Sequence, residues 1–299
     1  VGCGDSFPPY SLPGGIATAS ICAAGGCTTL GATVSSELVA LSDLHLGTRH
    51  CRAERLLELL DTIDTRRLVL CGDVIDFIDP GPRWPALHTV ILERLLTLAR
   101  DGMRVDLLCG NHDGILRAFL PTRIGDIHLA DRLILELGGE RVLFLHGDQV
   151  DHHCHTHPFL RRVGAGFYDG LMYGSHWVNA LSSLWRGKPV SLVAAFRTHL
   201  PWAARHVDRF EQACAGLAAE ADCSAVVCGH IHVPWQRIVT VAGKPIVYRN
   251  CGDWVEHTTG WTFTGAAWKT IGAIDVEPLP SLVHADGALG IPAEAALAS

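Results

Sequence analysis

No C-x-x-C pair occurs among the 11 cysteines of this 299-residue sequence, which removes the spacing that marks a zinc ribbon. The cysteines are odd in number and scattered, so no disulfide framework is legible either. Cys71, Cys109, Cys228 and Cys251 each precede a glycine at the end of an apolar run, where a free thiol acts as a small buried hydrophobe; a reducing, cytoplasmic setting fits. No apolar stretch reaches the ~18 residues of a membrane-spanning helix. Val1 to Glu37 contains neither Lys nor Arg, so it lacks the positive first region of a secretory signal. Rich in Gly, Ala, Ser, Thr and Cys, residues 1–37 read as a flexible extension. An excess of positive charge is missing too. The formal net charge is −7, whereas proteins that neutralise phosphate backbones carry a basic surface; no nucleic-acid partner is expected, though a local basic patch stays compatible with that total.

What the sequence has is one phrase written five times. Hydrophobic residues make up 48% of it, ample for a large core, and five apolar runs end alike: LSDLHLG from Leu41, LCGDVIDF from Leu70, LCGN from Leu108, FLHGD from Phe144 and VCGHIH from Val227. Each run stops at a small residue or glycine, and an Asp, Asn or His with a lone pair follows or sits beside it. Open α/β sheets place their chemistry on loops that leave the carboxyl ends of strands.

Leu38 to Leu41 reads as the first strand. Asp43 and His45, one residue apart on an extended exit segment, are expected to point the same way and reach one cation. Leu56, Leu57, Leu60 and Ile63 share one face of a helix over Arg52 to Ile63, so a βαβ unit leads into Asp73, whose carboxylate can serve two metal ions. Asp76 reads as a hydrogen-bonding loop residue rather than a ligand. Pro80, Pro82 and Pro85 stiffen the loop before a helix over Leu87 to Arg100. The strand Val105 to Cys109 delivers Asn111, whose neutral carbonyl oxygen binds a divalent ion without adding charge, and His112, an imidazole able to stabilise developing charge or protonate a leaving oxygen. Taken alone, GNHD is also the composition of a turn held by Asn and Asp side chains.

Ile127 to Leu129, Arg132 to Leu137 and Arg141 to Leu145 read as an antiparallel run with a turn at Gly138 and Gly139. It ends at His146, a nitrogen ligand with Asp148 as its orienting carboxylate. The histidines at 152, 153, 155 and 157 (His152, His153, His155, His157) suit metal binding, solvent exposure or substrate contact. From Pro158 to about Cys214 the pattern turns both greasy and basic, as in Phe167, Tyr168, Trp177 and Trp185 among Arg161, Arg162, Arg186 and Arg197. This predicts a helical insertion that either meets an amphiphile or membrane face or packs on itself as a cap. A helix over Val207 to Ala221 returns to the core. The strand Ser224 to Cys228 then presents His230 and His232 at alternate positions, repeating the Asp43 and His45 geometry. Trp235 to Val241, Pro245 to Arg249 and Trp261 to Val276 close the domain as strands at about residue 277, Asn250 to Glu256 lines the site, and residues 278–299 form an unstructured tail.

The order DxH, GD, GNH, GH and GHxH resembles the calcineurin-like metallophosphoesterase superfamily over about Ser42 to Trp254. The resemblance implies an α/β fold of two mixed β-sheets packed face to face with flanking helices, and a domain over 38–277 interrupted by the insertion. It implies a pair of divalent ions, Mn²⁺ first and Fe²⁺ or Zn²⁺ as alternatives, with Asp43, His45, Asp73 and His232 on one and Asp73, Asn111, His146 and His230 on the other. His112 matches the family's non-ligating catalytic histidine. The insertion, GHIHVP and NCGDWVEH are similar to the bacterial branch related to UDP-2,3-diacylglucosamine pyrophosphatase, which implies a lipid-linked nucleotide substrate and peripheral contact with the inner membrane. That branch's well-known enzymes carry Arg where this sequence has His112, which keeps a broad phosphodiesterase or phosphomonoesterase in view. The fold also serves as a scaffold without catalysis in a retromer subunit, but here every ligand position and His112 are filled.

Overall fold

Strand β1 (Val34–Leu41) runs parallel to β2 (Ile63–Cys71), and the chain between them folds into α1 (Ala53–Thr62). These belong to a computed structural model that describes residues 34–150 and 201–272. The extension and the tail before and after these limits lie outside the described residues, as do His152 to His157 and most of the expected insertion. Because β1 starts at Val34, with Val34 registered on Ile63, residues 34–37 belong to the first sheet and not to the extension.

A seven-stranded sheet grows around this unit: α2 (Ala86–Arg100), β3 (Arg104–Leu108), a 3₁₀ turn (Gly114–Phe119), β4 (Thr122–Ile124) and β5 (Ile127–Ala130). A five-stranded sheet takes β6 (Arg132–Leu137), β7 (Glu140–Leu145), β8 (Ala225–Cys228), β9 (Trp235–Val241) and β10 (Lys244–Asn250), with α3 (Pro201–Glu220) between β7 and β8. The hairpin β11 (Gly260–Phe263) and β12 (Trp268–Ile271) returns to the first sheet. The strand orders are β12-β11-β1-β2-β3-β5-β4 and β6-β7-β8-β10-β9.

The antiparallel run expected from Ile127 to Leu145 therefore divides. β6 and β7 form the predicted hairpin, but β5 pairs in parallel with β3 in the other sheet. Local pattern shows a strand and its turn; it does not show which sheet the strand joins. The last predicted strand likewise divides at Thr264–Ala267 into β11 and β12.

Alternation sorts the side chains into three cores. Leu38, Val69 and Leu108 meet Phe144, Val227 and Val247 between the sheets. Val39, Leu68 and Leu70 bury Leu56, Leu60, Ile91 and Leu95 of α1 and α2 on one outer face, and Leu143, Val226 and Tyr248 bury Phe210, Cys214 and Ala218 of α3 on the other. Since Phe210 and Cys214 are fully buried against the second sheet, the expected limit of the insertion at Cys214 falls inside the core domain. The seven cysteines among the described residues are buried and none is in a disulfide, as expected for small hydrophobes. Among those residues no helix is long and apolar enough to cross a membrane.

Candidate metal centre

The loops after β1, β2, β3, β7, β8 and β10 gather on one rim. Their backbones are stitched together by Asp43 N to Gly72 O (3.1 Å), His45 N to Asp73 O (2.9 Å), Gly229 N to His146 O (3.0 Å) and Trp254 N to Asp43 O (3.0 Å). The glycines that end the apolar runs make this approach possible. A Cβ on Gly110 would strike the Asp73 carboxylate, and one on Gly229 would strike Ser42 and the Asp43 carboxylate.

All seven candidate ligands come together here. Oδ2 of Asp43 accepts from Ser42 Oγ (2.5 Å) and from His230 N (3.0 Å). Its Oδ1 is buried, makes no hydrogen bond, and lies 3.1 Å from His232 Nε2 and 3.9 Å from His45 Nε2. His45 donates from Nδ1 to Asp76 Oδ2 (3.0 Å), which leaves its buried Nε2 as a lone pair without a hydrogen bond. Such a hydrogen bond on one ring nitrogen is how a histidine is set to ligate through the other.

Beside this group, His146 donates from Nδ1 to the Cys71 carbonyl (2.8 Å), and its Nε2 lies 3.3 Å from Asp73 Oδ2 and 3.1 Å from Asn111 Oδ1. The same Asn111 oxygen is 3.1 Å from His230 Nδ1. Asp73 Oδ1 accepts from His112 N (2.7 Å). Donor atoms of Asp43, His45 and His232 lie within 4.8 Å of one another, as do those of Asp43, Asp73 and His146, so the two groups abut through their carboxylates.

The charges agree with a centre built to hold cations. Burial opposes ionisation of Asp73, yet its carboxyl is held far below the usual range by the charge of His146 and its hydrogen bond, helped by His45 and His112. Burial likewise opposes charging of His232, but Asp43 and Asp253 raise it to about 9, and His146 is driven upward by Asp73 and Asp43 against the same penalty. Without metal the pocket attracts protons; the orphaned lone pairs of Asp43 and His45 and the mixed oxygen and nitrogen set fit divalent ions.

Two details of the sequence reading are corrected, and a third is extended. Asp43 and His45 are not on an extended segment: their φ values are 55° and 48°, Asp73 has 51°, and His230 and His232 have 70° and 54°. The convergence comes from left-handed turns, a strained backbone that clusters at functional sites, and not from strand alternation. Asp148 does not orient His146; its carboxylate pairs with Arg117 at 2.8 Å, and the Cys71 carbonyl orients the ring instead. Asp76 is a hydrogen-bonding loop residue as read, but its place was missed. One oxygen, Oδ2, holds Nδ1 of both His45 (3.0 Å) and His112 (2.8 Å), while Oδ1 caps the turn at Ile78 N and Asp79 N. Its spacing three residues after Asp73 was the only signal.

A model of the family described as calcineurin-like phosphoesterase matches residues 37–234, more than half of the chain. The UDP-2,3-diacylglucosamine hydrolase of Aeromonas salmonicida is 26% identical over 227 residues, spanning 73% of this chain and 85% of that protein. Its namesake from Cellvibrio japonicus is 25% identical over 239 residues, spanning 76% and 94%. Among solved structures, Yfce, a phosphoesterase from E. coli, is 18% identical with a TM-score of 0.36, covering 79% of this chain and 92% of that one.

Proposed function

This chain belongs to the calcineurin-like phosphoesterase family and is a phosphoesterase, and we propose that it uses two divalent ions to hydrolyse the pyrophosphate of UDP-2,3-diacylglucosamine or a related lipid-linked nucleotide in lipid A synthesis. The observation that carries the dinuclear reading is the meeting of two donor groups, Asp43, His45 and His232 on one side and Asp43, Asp73 and His146 on the other, with Asn111 Oδ1 within 3.1 Å of both His146 and His230. In this reading Asp43, His45, Asp73 and His232 hold one ion and Asp73, Asn111, His146 and His230 the other. Mixed nitrogen and oxygen donors suit Mn²⁺, then Fe²⁺ or Zn²⁺, better than Mg²⁺. Such a pair, when bound, supplies Lewis acidity for a phosphoryl oxygen and lowers the pKa of water.

The chain's own part follows from its polar contacts. His112 turns its Nδ1 toward Asp76 Oδ2 at 2.8 Å, which leaves Nε2 as the atom that can give a proton to a leaving oxygen. Cys71 O and Asp76 fix the ring orientations of His146 and His45.

The lipid part rests on the two hydrolases named above and on apolar side chains beside the site. Phe77, bonded through its N to His112 O, is 50% exposed, and Ile115 and Phe119 on the following turn are 66% and 62% exposed. In this reading these exposed side chains are the surface that meets the acyl chains, and a cytoplasmic enzyme meeting the inner membrane peripherally belongs to the same reading.

His112 favours a second reading, a phosphodiesterase or phosphomonoesterase of broader range. A proton donor is needed most where the leaving group is an alkoxide rather than a phosphate. The deciding experiment compares kcat/KM of the Mn²⁺-loaded protein on diacylated UDP-glucosamine, its deacylated form and a simple phosphodiester. Preference for the diacylated compound supports the lipid reading; equal or better turnover of the simple diester replaces it with the second.

A further inference from the structure

Behind His232, on the side away from Asp43, lies a carboxylate to which the proposed reaction assigns nothing. Asp253 is fully buried in the loop after β10. Its Oδ1 accepts from the backbone N of Val255 (2.8 Å), Glu256 (2.5 Å) and His257 (3.2 Å). Its Oδ2 is 2.5 Å from His257 Nδ1 and 3.7 Å from His232 Nδ1. The His232 Nδ1 is buried and makes no hydrogen bond, whereas its Nε2 faces Asp43 Oδ1 at 3.1 Å. The arrangement repeats the one around Asp76, where a single carboxylate oxygen serves His45 on the inside and a more exposed imidazole, His112, on the outside.

We infer that Asp253 is the positioning residue of His232: its Oδ2 is the acceptor toward which Nδ1–H points, so that Nε2 is presented to the cation, while the backbone donors of the turn, and not the His257 ring, hold the carboxylate in place. A buried imidazole with one nitrogen turned inward needs a fixed acceptor for the other, or its ring and tautomer are unspecified. The three backbone donors prevent Asp253 from rotating away. No other carboxylate among the described residues is paired with His232 apart from Asp43. The inference rests on the metal reading of the site.

The test is a Mn²⁺ titration by calorimetry, together with the visible spectrum of the Co²⁺-loaded protein, on the parent chain, Asp253→Asn and His257→Ala. Asparagine keeps an oxygen for the three backbone donors while replacing the acceptor at Oδ2. Asp253→Asn is expected to weaken one of two ions by about 10–100-fold and alter the Co²⁺ spectrum, while His257→Ala leaves both ions bound as in the parent. Unchanged affinity and spectrum in Asp253→Asn, or the same loss in both variants, would overturn the inference, the latter because Asp253 would then act only through His257. If Asp253→Asn fails to fold, Asp253→Ser takes its place, since a hydroxyl can still cap the turn but does not reach His232: weakening of one of the two ions with an altered Co²⁺ spectrum supports positioning, and both ions bound as in the parent overturns it. A parent chain that takes up no ion would overturn the metal reading itself, a distinguishable result.

Discussion

Oδ2 of Asp76 lies 2.8 Å from Nδ1 of His112, and the same oxygen is 3.0 Å from Nδ1 of His45. One buried carboxylate thus couples the candidate proton donor to a candidate metal ligand. Burial opposes its charge, but hydrogen bonds from His112 and His45 keep its carboxyl far below the usual range.

Asp76→Asn is accordingly expected to damage two functions together. Loss of the donor's orientation should lower kcat by about 100-fold or more at saturating Mn²⁺, and loss of the His45 acceptor should weaken metal binding by about tenfold. Steady-state kinetics across a metal series separates the two; an unchanged kcat at saturation would show that His112 does not depend on Asp76.

Asp73→Ala and His112→Ala should both abolish hydrolysis, but only the first should reduce the metal content measured by elemental analysis. Asp73 Oδ2 faces His146, whereas His112 is turned toward Asp76. Equal metal loss in the two variants would mean that His112 is a ligand.

The raised pKa of His232 gives a pH dependence with a definite sign. Its folded value, about 9, exceeds the ordinary 6.5, so its protonation stabilises the metal-free fold fully below about pH 6.5, and that contribution is lost as pH rises through 9. A cation must displace this proton. Mn²⁺ affinity should therefore increase from pH 7 toward 9, with about one or more protons released per protein at pH 7. Calorimetry in buffers of different ionisation enthalpy measures the release; its absence would contradict ligation by His232.

Gly110→Ala puts a methyl group where the Asp73 carboxylate sits. Overpacking of this kind costs about 1–3 kcal/mol, and here the displaced group is a candidate ligand. The melting temperature and the bound metal should fall together; loss of stability with both ions retained would show that the loop yields without moving Asp73.

Much of this was legible along the chain. Leu68 to Leu70 running into Gly72 and Asp73, the amphipathic face of α1 and the hairpin at Gly138 are each local: apolar periodicity fixes the element and glycine fixes its end. The motifs name the seven candidate donors that the structure brings together, because lone-pair donors at strand ends are readable one loop at a time. Asp76 and Asp253 were harder, since a carboxylate that works by holding a neighbour's imidazole looks in sequence like any polar loop residue.

What the sequence determined by itself, then, was which residues could donate and where each strand stops. Only the tertiary structure decided that β5 joins the first sheet, that α3 belongs to the core from Phe210 onward, and that five left-handed residues turn Asp43, His45, Asp73, His230 and His232 inward. These are relations between segments far apart in the chain. They are set by which faces must be buried together and by where a backbone can approach another closely enough, and no single stretch carries that information.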